Sequence, residues 1–169
     1  MLQIIDSLNE LPFAALMEIY AEGNAKNGRE RYPNLPASQQ RLEAEQDFYA
    51  YLDLFFRQSD SHYFLWVIDG IYVSALRIEP YSDGYLIAAL ETMPSRRNLG
   101  YGKALLAEAV LWIEKHNSFP VYSHISKGNA VSIAVHKAVG FTEYLPYCRY
   151  ADGSVSHNGI TFKHIKKTL

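Results

Sequence analysis

Cysteine is nearly absent, since Cys148 is the only one in 169 residues. A single thiol excludes an intramolecular disulfide and any multi-cysteine zinc site, and it fits a reducing compartment, so the expected location is cytoplasmic. Long apolar runs are missing as well. Asp6 interrupts the first apolar residues, and no later run approaches the roughly 20 that a spanning helix requires, so no membrane association is expected. There is no excess of basic charge: 16 Lys and Arg stand against 18 Asp and Glu, a formal net charge of −2, which argues against a nucleic-acid partner. The six histidines show no helical or paired spacing, so no metal site is expected.

What is present is the composition of one globular domain over 1–169, 49% apolar, 14% aromatic and 20% charged, undivided by any linker, repeat or low-complexity stretch. The charge is unevenly spread. Residues 1–90 hold 6 basic and 13 acidic side chains, and residues 91–169 hold 10 basic and 5 acidic. On this count a small anion is expected in the second half, and a cationic amine is expected to be drawn to the first.

Residues 2–5 suit a short strand. Leu8, Leu11, Ala15, Leu16, Ile19 and Tyr20 recur at helical spacing over 8–21, with Pro12 tolerable only in a first turn. Asn27 to Pro36 looks like a polar connection. A second helix starts near Ala37 or Ser38, with Leu42, Tyr49, Leu52, Phe55 and Phe56 on a broad apolar stripe, and Arg57 to Asp60 closes it. From His62 the period becomes that of strands. Asp69-Gly70 between β-rich runs signals a hairpin, and Ser82-Asp83-Gly84 leads into a third strand ending at Glu91-Thr92. A helix over about 100–116, a strand from Phe119 to Ile125, a short helix over about 130–138 and a closing hairpin from 142–150 and 160–166 follow. Strand, helix, strand implies a right-handed crossover and one parallel pair. The expected class is α+β: a mixed, mostly antiparallel sheet flanked by helices.

Two blocks carry chemistry. In Thr92-Met93-Pro94-Ser95-Arg96-Arg97-Asn98-Leu99-Gly100-Tyr101-Gly102-Lys103 a strand hands over to a helix. Its two glycines let the backbone approach a ligand, and the N–H groups of the first helical turn point at one anion-sized spot, as in a pyrophosphate cradle. Arg96, Arg97 and Lys103 add charge beside it. The block has neither the Walker sequence nor the dinucleotide fingerprint. Asn129 and Ser132, followed by Gly140-Phe141, form the second block. Their plainer uses are an N-cap and a helix C-terminus closed by an apolar contact.

In this order, and separated by one helix and one strand, the two blocks resemble motifs A and B of the GNAT N-acetyltransferase superfamily, carried by Thr92, Pro94, Arg97, Gly100 and Gly102 and by Asn129, Ser132, Gly140 and Phe141. The agreement extends over most of 60–169. The resemblance implies a GNAT-like acyl-CoA N-acyltransferase fold and an acetyl-CoA-dependent N-acetyltransferase. Leu99 to Lys103, Tyr101 among them, would wrap the pyrophosphate, with Asn98 of the same turn beside them. The backbone of Leu90 to Met93 would pair with the pantetheine arm, Asn129 would hydrogen-bond that arm and Ser132 would line the channel. The acceptor would be a small-molecule or peptide amine, and a homodimer stays open because family members are often dimers.

His136 departs from the pattern, standing where many members carry the Tyr that serves as general acid. An imidazole can donate a proton there, and Tyr147 and Tyr150 are alternatives. Since an alkylammonium of pKa about 10.4 must lose a proton before it attacks, a base is required beside the slot. Glu91 is the first candidate, although it also suits a pairing with Arg77 across the meander, and His124 is the second. No suitably placed nucleophile suggests an acyl-enzyme, so direct transfer in a ternary complex is expected. A non-catalytic acyl-CoA-binding module is the alternative.

Overall fold

The computed structural model describes residues 1–116 and 120–165. Seven strands form one sheet in the order β1 (Leu2–Ile5), β2 (His62–Ile68), β3 (Ile71–Tyr81), β4 (Gly84–Thr92), β5 (Val121–Ser126), β9 (Gly159–His164), β6 (Thr142–Leu145). All neighbours run antiparallel except β4 and β5, which pair in parallel. The crossover between them is α4 (Tyr101–His116), as the strand, helix, strand order requires. The hairpin joining β2 to β3 turns through Asp69 and Gly70, both at positive φ (48° and 77°), the backbone that a two-residue turn needs to match strand twist.

Alternation along the strands builds two cores. Phe64, Leu76 and Ile78 meet Leu105, Leu106, Ala109, Val110 and Ile113 of α4 on one face. On the other, Tyr63, Leu65 and Ala75 meet Leu16 and Ile19 of α1 (Phe13–Ile19) and Leu52 and Phe55 of α3 (Ala37–Phe56). Each large side chain buried in these layers contributes about 1.5–3 kcal/mol relative to exposure.

The N-terminal part differs from the pattern read in the sequence. Residues 8–21 are not one helix but a 3₁₀ turn (Leu8–Glu10) and α1, which begins after Pro12. The first half of the expected polar connection, Asn27 to Arg31, belongs instead to a helix, α2 (Ala21–Arg31). It has no apolar stripe, and Gly23 and Gly28 each cost about 1 kcal/mol of helix propensity, so local sequence cannot reveal it. Packing makes it: a Cβ at Gly28 would lie 2.5 Å from the Gln40 carbonyl oxygen, which shows how closely α2 and α3 approach. On α3, Leu42 and Tyr49 are exposed, and the buried positions are Ala44, Leu52 and Phe55.

The closing segment also differs. β9 inserts between β5 and β6, leaving β6 at the sheet edge, while β7 (Cys148–Arg149) and β8 (Val155–Ser156) form a separate two-stranded ribbon. Phe119 and Lys166, at the expected ends of two strands, lie outside the described residues. Helix α5 (Ala130–Val139) ends at Gly140 in the left-handed region (φ 104°), with Phe141 N–H donating to the His136 carbonyl and Phe141 buried.

Candidate active site

The turn from β4 into α4 is built on two left-handed residues, Asn98 (φ 64°) and Gly100 (φ 82°). The Gly100 carbonyl accepts the Ala104 N–H, so α4 starts at Tyr101, and the N–H groups of Tyr101, Gly102 and Lys103 have no intrahelical acceptor. A Cβ on Gly100 would meet nothing within 4 Å, whereas one on Gly102 would lie 2.9 Å from Thr92 Oγ1. Gly100 thus gives the turn its backbone, and Gly102 lets α4 sit against β4. The open first turn, at the positive end of the helix dipole, fits a pyrophosphate.

β4 has a bulge beside this turn. Ala75 faces Glu91 but Arg77 faces Ala88, so β4 spends one residue more than β3. Ala89 is left at φ 52°, a conformation costly to a residue with a side chain. Tyr20 steadies it: its hydroxyl donates to the Ala89 carbonyl at 2.6 Å and accepts from Tyr63 at 2.9 Å. Past the bulge β4 leaves β5. Their register is Tyr85↔Val121, Leu86↔Tyr122 and Ile87↔Ser123, and it goes no further, so the segment from Leu90 to Thr92 faces an opening.

Glu91 lies at this opening, and its partner is Arg97, not Arg77. Arg97 Nη2 donates to Glu91 Oε1 at 3.1 Å, while Nη1 donates to Glu22 Oε2 of α2 at 2.7 Å. The two carboxylates hold the guanidinium even more firmly protonated than usual. Arg97 therefore ties the Gly-rich turn to α2 and orients Glu91, where the sequence suggested a phosphate ligand. Arg96 closes the 3₁₀ turn Pro94–Arg96, and Leu99 and Lys103 are exposed at the same end of α4.

The second block sits on α5. Asn129 caps it, its Oδ1 accepting the Ser132 N–H at 3.0 Å. His136 is buried, 2% exposed, with both ring nitrogens engaged. Nδ1 donates to the Ser132 carbonyl at 2.8 Å, which leaves Nε2 to accept from Ser123 Oγ at 3.0 Å. Phe141 and Phe162 pack on the ring, and burial lowers its pKa. It is closed off from the opening. A His reaches less far than the Tyr it replaces.

His124 occupies the opposite face of β5, edge-on to Tyr81 and Tyr150, with Nε2 lacking a hydrogen bond and its pKa lowered by burial. Cys148 is buried and its thiol is pushed up by desolvation, which unsuits it as a nucleophile. Among the described residues no cluster of His, Cys, Asp or Glu is placed to hold a metal, and no helix is long and apolar enough to cross a membrane.

Next to the bulge lies a cavity of about 360 Å³. Tyr20, Phe48 and Tyr51 give it aromatic walls, Arg77 and Ala89 come from the sheet, and Asn24, Arg31 and Asp47 come from α2 and α3. The sequence reading did not find it. Its one local signal is Arg77, a charge within the apolar strand Ala75-Leu76-Arg77-Ile78.

Comparison with protein families matches residues 25–141 to the acetyltransferase (GNAT) family, and the chain belongs to that family. A comparison with curated proteins finds no match. Among solved structures, the PaiA N-acetyltransferase of Thermoplasma acidophilum in complex with coenzyme A is similar, with TM-score 0.67 at 13% identity over 98% of this chain and 99% of that one. The ribosomal-protein-alanine N-acetyltransferase of Brucella melitensis superposes with TM-score 0.66 at 18% identity over 97% and 99%. The ribosomal-protein-S18-alanine N-acetyltransferase of Escherichia coli does so with TM-score 0.60 at 20% identity over 96% and 92%.

Proposed function

We propose that the chain is an acetyl-CoA-dependent N-acetyltransferase that moves the acetyl group to a primary amine by direct transfer in a ternary complex. The observation that carries this reading is the opening of β4 from β5 at the bulge, placed beside a helix N-terminus with three free N–H donors. The turn from Asn98 to Lys103, with Arg96 beside it, holds the pyrophosphate, and the backbone from Leu90 to Met93 takes the pantetheine arm, with Asn129 and Ser132 on its other side.

Glu91 takes a proton from the acceptor ammonium. The freed lone pair attacks the thioester carbon, a backbone N–H of the opened strand stabilises the oxyanion, the C–S bond breaks with its electron pair on sulfur, and the proton shed by the new amide nitrogen goes to the departing thiolate. A thiol pKa near 8.5 makes the thiolate a fair leaving group, so it needs little help from an acid. His136 acts here by positioning, holding α5 on β5 through Ser123 while its bond to the Ser132 carbonyl, within α5, fixes the ring. The lone buried Cys148 supports a cytoplasmic location within the same reading.

The burial of His136 also favours a second reading, a module that binds acyl-CoA without turnover. The two are separated by thiol release from acetyl-CoA against a panel of amines, run beside melting curves. Release with at least one amine is the expected result, and a thermal shift with acetyl-CoA but no release from any amine would favour the second reading.

A further inference from the structure

The cavity beside the bulge has a chemistry of its own. Two of its aromatic walls, Phe48 and Tyr51, are nearly parallel (9° between rings, centroids 6.5 Å apart), and Tyr20 meets Phe48 edge-on. Of its three charged wall residues, Arg31 and Asp47 neutralise one another at 2.7 Å, and Tyr32 donates a further hydrogen bond to Asp47. Arg77 is left. Its guanidinium lies over the Tyr51 ring, 4.7 Å from the centroid, and its Nε is buried without a hydrogen bond, with the nearest carboxylate, Glu79, 3.9 Å away. The Arg77 side chain nevertheless keeps 19% of its surface exposed and lines the cavity, so a ligand there would meet the part of the guanidinium that Glu79 leaves open.

Two carboxylates that share the Arg97 guanidinium, Glu91 and Glu22, stand next to other wall residues. Ala89 forms part of the wall, Glu91 follows two residues later on the same strand, and Glu22 stands beside the wall residue Gly23 on α2. Charge of both signs thus surrounds the cavity: Arg77 and the Arg31–Asp47 pair are in its wall, Glu91 and Glu22 stand next to wall residues, and Phe48 and Tyr51 supply aromatic surface.

We propose that this cavity holds the acceptor, and that the acceptor is a primary amine that also carries a carboxylate on a flat or apolar body. The inference rests on the acetyltransferase reading and adds the substrate class. The amine faces Glu91 at the opening, the body lies against Phe48 and Tyr51, and the carboxylate accepts from Arg77. A cavity of this size takes one molecule the size of an aromatic amino acid. The acidic excess of residues 1–90, which suggested that a cationic amine is drawn there, is here spent in part on ion pairs such as Arg31 with Asp47 and Arg97 with Glu22.

The test compares amines that differ in the carboxylate alone: phenylalanine with phenethylamine, and 4-(aminomethyl)benzoate with benzylamine. In at least one pair the carboxylate member is expected to show kcat/KM roughly 10- to 100-fold higher, the size of a charge-assisted hydrogen bond. Arg77→Met is expected to abolish that difference while the thermal shift with acetyl-CoA stays. Should Arg77→Met fail to fold, Tyr51→Leu, which removes the ring under the guanidinium, is expected to narrow the difference. Equal rates within both pairs in the wild-type protein, or undiminished discrimination in the folded variants, would overturn the proposal. Calorimetric titration of the same four compounds reads the cavity without turnover. Carboxylate-selective binding with no acetylation would spare the pocket and remove the acetyltransferase reading instead.

Discussion

Arg97 bridges Glu91 and Glu22, at 3.1 and 2.7 Å, so one guanidinium joins the Gly-rich turn, the opened strand and helix α2. This bridge orients Glu91, the proposed base, two residues along β4 from the cavity wall residue Ala89. Glu91→Gln is expected to lower kcat/KM by roughly 10²- to 10⁴-fold with acetyl-CoA binding intact, and to recover in part at high pH, where more amine is already neutral. Arg97→Gln is expected to lower kcat by roughly 10- to 100-fold through loss of orientation. Its acetyl-CoA KM should change little. A large rise in that KM would return Arg97 to the role of phosphate ligand.

The cradle can be tested at a single N–H. Tyr101 is the first residue of α4, a position where proline is tolerated because that N–H has no helical acceptor. Tyr101→Pro therefore removes one donor to the pyrophosphate and leaves the helix intact. Acetyl-CoA affinity measured by titration is expected to fall roughly 10- to 100-fold, the loss of a hydrogen bond to a charged group. Unchanged affinity in a folded variant would place the pyrophosphate elsewhere. Gly102→Val is a poorer test, because its Cβ is directed at Thr92 and would disturb the packing of α4 on the sheet.

Burial lowers the pKa of both His136 and His124 in the folded state. The unfolded chain, with histidines near pH 6.5, then binds more protons than the folded one. Stability accordingly falls as pH drops through about 6.5 and continues to fall toward the lowered folded-state values. Denaturant melts at pH 7.5 and 5.5 are expected to show this, with a shallower dependence in His136→Phe. That variant also strands the Ser123 hydroxyl, at a cost of about 1–3 kcal/mol at pH 7.5. Its pH–rate profile should keep the high-pH limb, since His136 does not reach the opening. Loss of that limb would reinstate His136 as the acid.

Gly84 controls where β4 begins. A Cβ there would lie within contact of the Pro120 carbonyl oxygen, the same atom that accepts the Tyr85 N–H at 3.1 Å next to the parallel pairing with β5. Gly84→Ala is expected to cost about 1–3 kcal/mol, the usual range for an overpacked site. Calorimetry should show a Tm lower by about 2–4 °C for each kcal/mol. An unchanged Tm would mean that the β4–β5 start yields without cost.

Much of the architecture is local in origin and was legible in the residues. The Asp69-Gly70 turn, the alternation through β2 and β3, the buried stripe of α4 and the glycine end of α5 each depend on neighbours a few positions away, and so does the cradle at Gly100. The family resemblance rests on the same local blocks. Helix α2 was not legible, because Gly23, Gly28 and its polar residues favour no helix until α3 packs against them.

The roles of the charged groups were decided by tertiary structure alone. Glu91 had one partner in prospect, Arg77 across the meander, and the extra residue in β4 shifted the register so that Arg77 faces Ala88 and Arg97 takes Glu91. His136 occupies its expected place in the motif, yet a side chain shorter than Tyr is enclosed between Ser123, Ser132 and two phenylalanines. The cavity joins residues from 20 to 89, brought together only when α2 and α3 cover the sheet. Sequence determines what is set by bonds along the chain and by turns of a helix or strand. Which charges meet, and which remain open to a ligand, depends on through-space distances of a few ångströms that only the packed molecule fixes.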